Sequence, residues 1–152
     1  MRIAEVLGVD AVRTDWCVAD KEGALRVLAR MFVDDDPSLD EDEVFRVLSE
    51  RESLATTGVG SGIAIPHGRL AIEGFHVVMA ISPRGVDFAA IDGEPAHIFV
   101  AMLAPEEHPG EQLRMLGRFA RVLRDAKTRE RLLAATTSRS VYDIVVELDS
   151  AS

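Results

Sequence analysis

A single α/β domain, with helices covering a mostly buried sheet, is the architecture this sequence predicts. Three observations carry it. The chain has 152 residues, about one domain's worth and enough to bury a core. Two runs, Phe75–Ile81 and Ala96–Leu103, are strongly apolar; the first holds β-branched Val77 and Val78, and the second is apolar on both faces, as a central strand is. Around these runs, apolar residues recur at helical spacing.

Taken in order, residues 1–19 mix a short helical pattern (Ile3, Val6, Leu7) with a strand around Ala11–Val18. Asp20 is an N-cap, and Leu25, Leu28 and Phe32 predict a helix over Lys21–Phe32. Asp34-Asp35-Asp36-Pro37 then ends it as a solvated turn. Ser38-x-x-Glu41 and Asp40-x-x-Glu43 are both acid-capped starts for the next helix, whose inner face is Val44, Val47 and Leu48. Arg51 takes the next step on that face. Two readings stand side by side: the helix ends there with the guanidinium in solvent, or the arginine is directed at an anion.

Next comes Thr57-Gly58-Val59-Gly60-Ser61-Gly62-Ile63-Ala64-Ile65-Pro66-His67-Gly68-Arg69, with Arg69–Gly74 as a connection. After the Phe75–Ile81 strand, Ser82–Gly85 reads as a turn and Val86–Ile91 as a short edge segment closed by Asp92-Gly93. Pro105–Gly110 reads as a loop. Glu111–Asp125 reads as a helix with a stripe of Leu113, Leu116, Ala120 and Leu123. Lys127–Ala135 and a segment capped by Ser140 complete the helices. No linker or repeat interrupts residues 1–152, which are expected to form one domain.

The net charge of −9 and pI near 4.9 argue against a nucleic-acid-binding surface and against anionic membranes. They suit a protein partner with a basic docking face. No apolar run approaches the roughly 18 residues needed to span a bilayer, and Met1-Arg2-Ile3-Ala4-Glu5 lacks a signal-peptide pattern, so a cytoplasmic protein is expected. Cys17 has no disulfide partner and reads as a buried small apolar residue.

The chemistry concentrates at the glycine-rich stretch. The dinucleotide fingerprint fails because its third position falls on Ile63 or Ile65, and no Gly-Lys-[Ser/Thr] marks a P-loop. The four histidines, His67, His76, His97 and His108, lack zinc-site spacing. His76 and His97 sit in strands and read as structural; His108 falls in a loop. His67 differs. A neutral imidazole carries a lone pair on one ring nitrogen, which can attack phosphorus when the other nitrogen donates its proton to a carbonyl or carboxylate. Backbone N–H groups at Gly58, Gly60, Ser61 and Gly62, and an arginine, are suited to hold phosphoryl oxygens. The arrangement calls for no metal or cofactor.

Thr57–Gly68 resembles, across its full length, the active-site signature of the IIA components of the phosphoenolpyruvate-dependent phosphotransferase system of fructose, mannitol and nitrogen-regulatory type. Ser49-Glu50-Arg51-Glu52 resembles the end of that family's arginine-bearing helix, and Asp87–Gly93 followed by Ala96–Leu103 resembles its second recognisable block. The resemblance implies a mixed sheet of about five strands with helices on both faces. It implies that His67 accepts a phosphoryl group on Nε2 from the carrier HPr or its nitrogen-branch counterpart, a transferase-class role, and that Arg51 binds its oxygens. The group then passes to a cysteine of a IIB domain or stays as a regulatory mark. The alternative is a non-transferring module that binds a transporter or kinase according to His67 phosphorylation. One departure stands out: Gln112 occupies the position equivalent to a second active-site histidine often found in this family. Its amide can hydrogen-bond phosphate but cannot carry charge.

Overall fold

The computed structural model describes residues 1–151. Its two long strands, β5 (His76–Val86) and β6 (Ala96–Pro105), pair antiparallel at the centre of a six-stranded mixed sheet. In β6 every residue but His97 is buried, and in β5 the run 77–82 is buried on both faces. That is the continuous apolar signal of the sequence carried into space. The short strand β1 (Val12–Arg13) adds parallel to β5; β3 (Ile63–Ala64) and β4 (His67–Leu70) both add parallel to β6; β2 (Gly58–Gly60) pairs antiparallel with β3.

Two helical layers cover the sheet. Helix α2 (Lys21–Asp35) packs on α3 (Glu41–Leu54), and this pair lies on β5 and β4. The other layer groups α4 (Pro109–Leu123), α5 (Ala126–Ala134), α6 (Ser138–Ala151) and the short α1 (Ile3–Val6). Phe32, Phe88, Phe99 and Phe119 are fully buried among them. Phe99 meets Trp16 and Phe88 at centroid separations of 5.0 and 5.4 Å, so aromatic contacts knit the sheet to the loops beside it.

The fold class stands as expected, and several local expectations are corrected. The strand around Ala11–Val18 shrinks to β1 because Asp15 adopts φ 53° and turns the chain. Helix α2 runs three residues past Phe32 and stops at Asp35; Asp36, which precedes Pro37, is extended as a residue before proline tends to be. Asp40, not Ser38, caps α3, accepting from the amides of Asp42 and Glu43. Ser82–Gly85 is no turn between strands but an irregularity inside β5, with Gly85 at φ +81°. Val86–Ile91 forms no edge segment beyond Val86; it is a loop that buries Phe88. Cys17 is exposed.

The correction that matters most lies in α4. The expected inner stripe of Leu113, Leu116 and Ala120 is displaced by one position. Gln112, Met115, Phe119 and Val122 face the sheet together with Leu123, the one member of the expected stripe that is fully buried, and Leu113 is 71% exposed. Both stripes are amphipathic by spacing; the larger residues, Met115 and Phe119, take the core.

Candidate functional site

The site is built from α3, the β2–β3 hairpin, β4 and α4. His67 opens β4, where the Pro66 carbonyl accepts from the Met102 amide and His67 registers with Met102. It therefore begins a strand of its own, and Arg69 and Leu70 belong to that strand rather than to a connection. Proline suits the position because its missing N–H leaves no ladder donor unmet.

The His67 ring is half-buried, and its Nδ1 lies 2.8 Å from the Ile65 carbonyl oxygen. A carbonyl only accepts, so Nδ1 carries the proton and Nε2 keeps a free lone pair. Burial holds the imidazole below its ordinary value of 6.5. Arg51 and Arg69 push the same way, while the Ile65 carbonyl and the Glu52 carboxylate oppose them. The ring is thus neutral at pH 7. NMR titration is expected to show His67 protonating with a midpoint below 6.5. The sign for stability follows: above pH 6.5 both folded and unfolded forms are neutral. Below it the unfolded chain binds the proton first, so stability falls with pH until the lower folded value is reached. A midpoint above 6.5 would contradict this geometry.

Arg51 arrives by packing. Gly68 is buried against α3, and a Cβ there would stand 2.3 Å from Val47 Cγ1. The helix backbone can approach β4 this closely only because Gly68 has no side chain. Arg51 lies one turn beyond Val47 on the same helix face. Helix α3 does not end at Arg51; it continues to Leu54, and Arg51 Nη1 donates to the Ala55 carbonyl at 2.9 Å. Arg51 and His67 line two adjoining depressions together. One, of about 590 Å³, runs between the hairpin and α4 and is walled by Val59, Ile63, Ile65, Leu113, Leu116 and Ala120. The other, of about 740 Å³, is more polar and includes Glu50, Arg69, Glu106 and Gln112.

Gln112 is buried on α4 and donates from Nε2 to the Gly68 carbonyl at 2.9 Å. It ties α4 to the residue after His67. The glycines divide. Gly60 and Ser61 share the wall of the first depression with His67. Gly62 lies on the far side of the hairpin beside His97. The Gly58 amide donates to Thr56 Oγ1 at 3.0 Å, and the Ser61 amide to Asp92 Oδ2 at 3.0 Å. Those two N–H groups are therefore engaged inside the protein. A Cβ on Gly58 would lie 2.9 Å from Ala90 Cα, so this glycine admits the Asp87–Gly93 loop. The hairpin turns through positive φ at Gly60, Ser61 and Gly62.

Sequence reasoning missed the exposed apolar rim. Leu54, Val59 and Leu113 are 82%, 48% and 71% exposed beside the two depressions. The Leu113–Leu116–Ala120 spacing was a usable signal, but periodicity does not tell a core face from a groove wall. It also missed Glu52 and Thr57, both buried next to the site. His97 donates from Nδ1 to the Ser82 carbonyl, and His108 occupies the N-cap of α4 with no side-chain cap bond. Among the described residues, no cluster of three His, Cys, Asp or Glu side chains is placed to hold a metal, and no helix is long and apolar enough to cross a membrane.

Fold and site together define a small α/β protein with one neutral imidazole set beside an arginine at the meeting of two depressions. Residues 5–147 match the family model for the phosphoenolpyruvate-dependent sugar phosphotransferase system, EIIA 2, and the chain belongs to that family. It is 35% identical over 146 residues, 95% of each chain, to a nitrogen regulatory protein of Bradyrhizobium diazoefficiens. It is equally 35% identical over 147 residues, 96% of each chain, to the fructose-specific EIIA component of the phosphotransferase system of Haloferax volcanii. The crystal structure of the nitrogen regulatory protein IIA-Ntr from Neisseria meningitidis superimposes with a TM-score of 0.88 at 30% identity, covering 94% of this chain and 98% of that one.

Proposed function

We propose that this protein is a phosphoryl carrier in which His67 Nε2 accepts the phosphoryl group of a phosphorylated HPr-type protein. The observation that carries this reading is the Nδ1–H bond to Ile65, which leaves Nε2 as the nucleophilic nitrogen. In the transfer, the donor's N–P bond breaks and its electron pair returns to the donor nitrogen. The Nε2 lone pair forms the new N–P bond, and Nδ1 keeps its proton. The ring gains positive charge, which the Ile65 carbonyl stabilises, and Arg51 holds the phosphoryl oxygens. Gly60 and Ser61 shape the wall beside the incoming group, and Gln112 holds β4 in place. The exposed apolar rim provides the docking face for the partner protein. In this reading the protein works in the cytoplasm.

The bound phosphoryl group passes to a IIB cysteine or acts as a regulatory signal. Gln112 favours the second use, because a buried amide committed to the Gly68 carbonyl cannot supply the charge of a second histidine. Similarity to both a nitrogen regulatory and a fructose-specific protein fits either use. One structural neighbour, the IIA mannitol protein of Escherichia coli, has been solved in complex with its phosphorylated IIB partner. As a regulatory module, this chain would bind a transporter or kinase differently with and without phosphate on His67.

The test is incubation with phosphoenolpyruvate, enzyme I and an HPr-type carrier, read by intact mass. Wild type is expected to gain one acid-labile, alkali-stable phosphate. Arg51→Ala is expected to slow that gain by roughly 10²-fold, the scale for removing one donor to a developing anion. An unmodified wild-type mass would refute the carrier, and unchanged kinetics in Arg51→Ala would refute the arginine's role.

A further inference from the structure

Next to Arg51 on α3 lies a buried carboxylate that the transfer reaction does not use directly. Glu52 is 8% exposed. Its two oxygens accept from the Thr57 amide at 2.9 and 3.1 Å and from the Thr57 hydroxyl, and Oε1 pairs with Lys21 Nζ at 2.7 Å. The Lys21 ammonium also stands 4.8 Å over the Phe88 ring. Lys21 comes from the first turn of α2, Glu52 from the last turn of α3 and Thr57 from the start of the hairpin. Three elements therefore converge on one carboxylate.

The network continues towards the imidazole. The Thr57 carbonyl accepts from the Ile65 amide at 2.9 Å, and the Ile65 carbonyl accepts from His67 Nδ1–H at 2.8 Å. Ile65 is thus held at both of its backbone polar groups, one by Thr57 and the other by the ring. Burying a carboxylate is costly, and an apolar replacement of similar volume often stabilises a fold as well or better. A charge kept at this depth, and bonded to the segment that sets the ring, fits a part in positioning.

We infer that Glu52, acting through Thr57, is a positioning residue that sets the Ile65 carbonyl against Nδ1–H and so determines which nitrogen of His67 is free to be phosphorylated. The inference rests on the phosphoryl-carrier reading for its consequence, but not for its geometry. Without the carboxylate, Thr57 and then Ile65 lose their anchor. The proton then distributes between Nδ1 and Nε2, and the nucleophilic lone pair is no longer confined to Nε2. The same carboxylate favours positive charge on the ring, against Arg51 and Arg69. That is the sign the ring acquires as the N–P bond forms.

The test compares full-length wild type with Glu52→Gln, Thr57→Val and Thr57→Ser. Circular dichroism establishes that each is folded. Long-range ¹H–¹⁵N NMR at pH 8 then reads the His67 tautomer without any phosphoryl donor. Wild type is expected to hold one tautomer, with Nδ1 protonated. Glu52→Gln and Thr57→Val are expected to populate both, and to accept phosphate about tenfold more slowly, the scale for losing an orienting partner. Thr57→Ser keeps the hydroxyl and is expected to match wild type. Folded Glu52→Gln and Thr57→Val with the wild-type tautomer and rate would overturn the inference and leave the network a purely structural one. If Glu52→Gln does not fold, Thr57→Val, which keeps the carboxylate paired with Lys21, decides the matter. A wild type that holds a single tautomer yet never gains phosphate would sink the carrier reading alone; the variants' tautomers would still decide the role of Glu52.

Discussion

Replacing His67 with alanine is expected to abolish phosphoryl acceptance completely while leaving the fold intact. Among the chain's four histidines, His67 alone combines a Nδ1 proton committed to a backbone carbonyl, an adjacent arginine and a place in both depressions. His97 also has Nδ1 on a carbonyl, that of Ser82, but it lies beyond the hairpin from Arg51. Loss should therefore be total rather than partial. His67 is only half-buried and makes a single side-chain hydrogen bond to its own segment, so its truncation should cost the fold about 1 kcal/mol. Intact mass and autoradiography after incubation with the phosphorylated carrier check the first part, and a thermal melt checks the second. Full labelling of His67→Ala would move the acceptor to another residue.

The second large effect is steric. Gly68→Ala is expected to destabilise the protein by about 1–3 kcal/mol and to weaken phosphoryl acceptance as well. The backbone at Gly68 needs no left-handed conformation, so strain is not the cause. The added methyl would stand 2.3 Å from Val47 Cγ1 and 3.7 Å from the Val47 carbonyl carbon. Valine on a helix has little rotamer freedom with which to yield. Helix α3 must then lift from β4, and Arg51 lifts with it. Urea denaturation measures the first effect and labelling kinetics the second. Val47→Ala in the same chain should restore much of both, because the two residues share one contact. Unchanged stability in the single variant would mean that α3 does not bear on β4 as closely as described.

These expectations show how differently the parts of the site were legible. His67 could be singled out as a candidate, because the glycine-rich turn, the apolar run and the proline that carry the family resemblance are contiguous in the sequence. The strands β5 and β6 were legible for the same reason: a run apolar on both faces has to be buried on both. Arg51 stood open between two readings, since helical periodicity cannot say whether a cation at a helix end meets solvent or a neighbouring strand. Contact between Val47 and Gly68, twenty-one residues apart, settles its neighbourhood, and no local pattern encodes that contact. The stripe on α4 was misassigned because two overlapping amphipathic faces were present, and only packing against β6 chose between them. The Ser82–Gly85 turn was misread because Pro and Gly signal a break in the chain, whereas pairing of Val86 with Ala96 carries the strand past it.

By itself the sequence determined the α/β class, the central strands and the family resemblance, because each follows from local spacing and residue chemistry, and it marked His67 as the candidate acceptor. The tertiary structure decided the rest. It put the proton on Nδ1 through the Ile65 carbonyl and brought Arg51 to the ring through a glycine that lets two elements touch. It committed Gln112 to the backbone beside the histidine, and it turned Leu113 outward into a groove wall. The contacts of Gly68 with Val47 and with Gln112 join residues distant in sequence, and the His67–Ile65 bond, though local, depends on a backbone that pairing with β6 holds in place. The energy of such contacts depends on which surfaces meet, and that information exists only once the chain has folded.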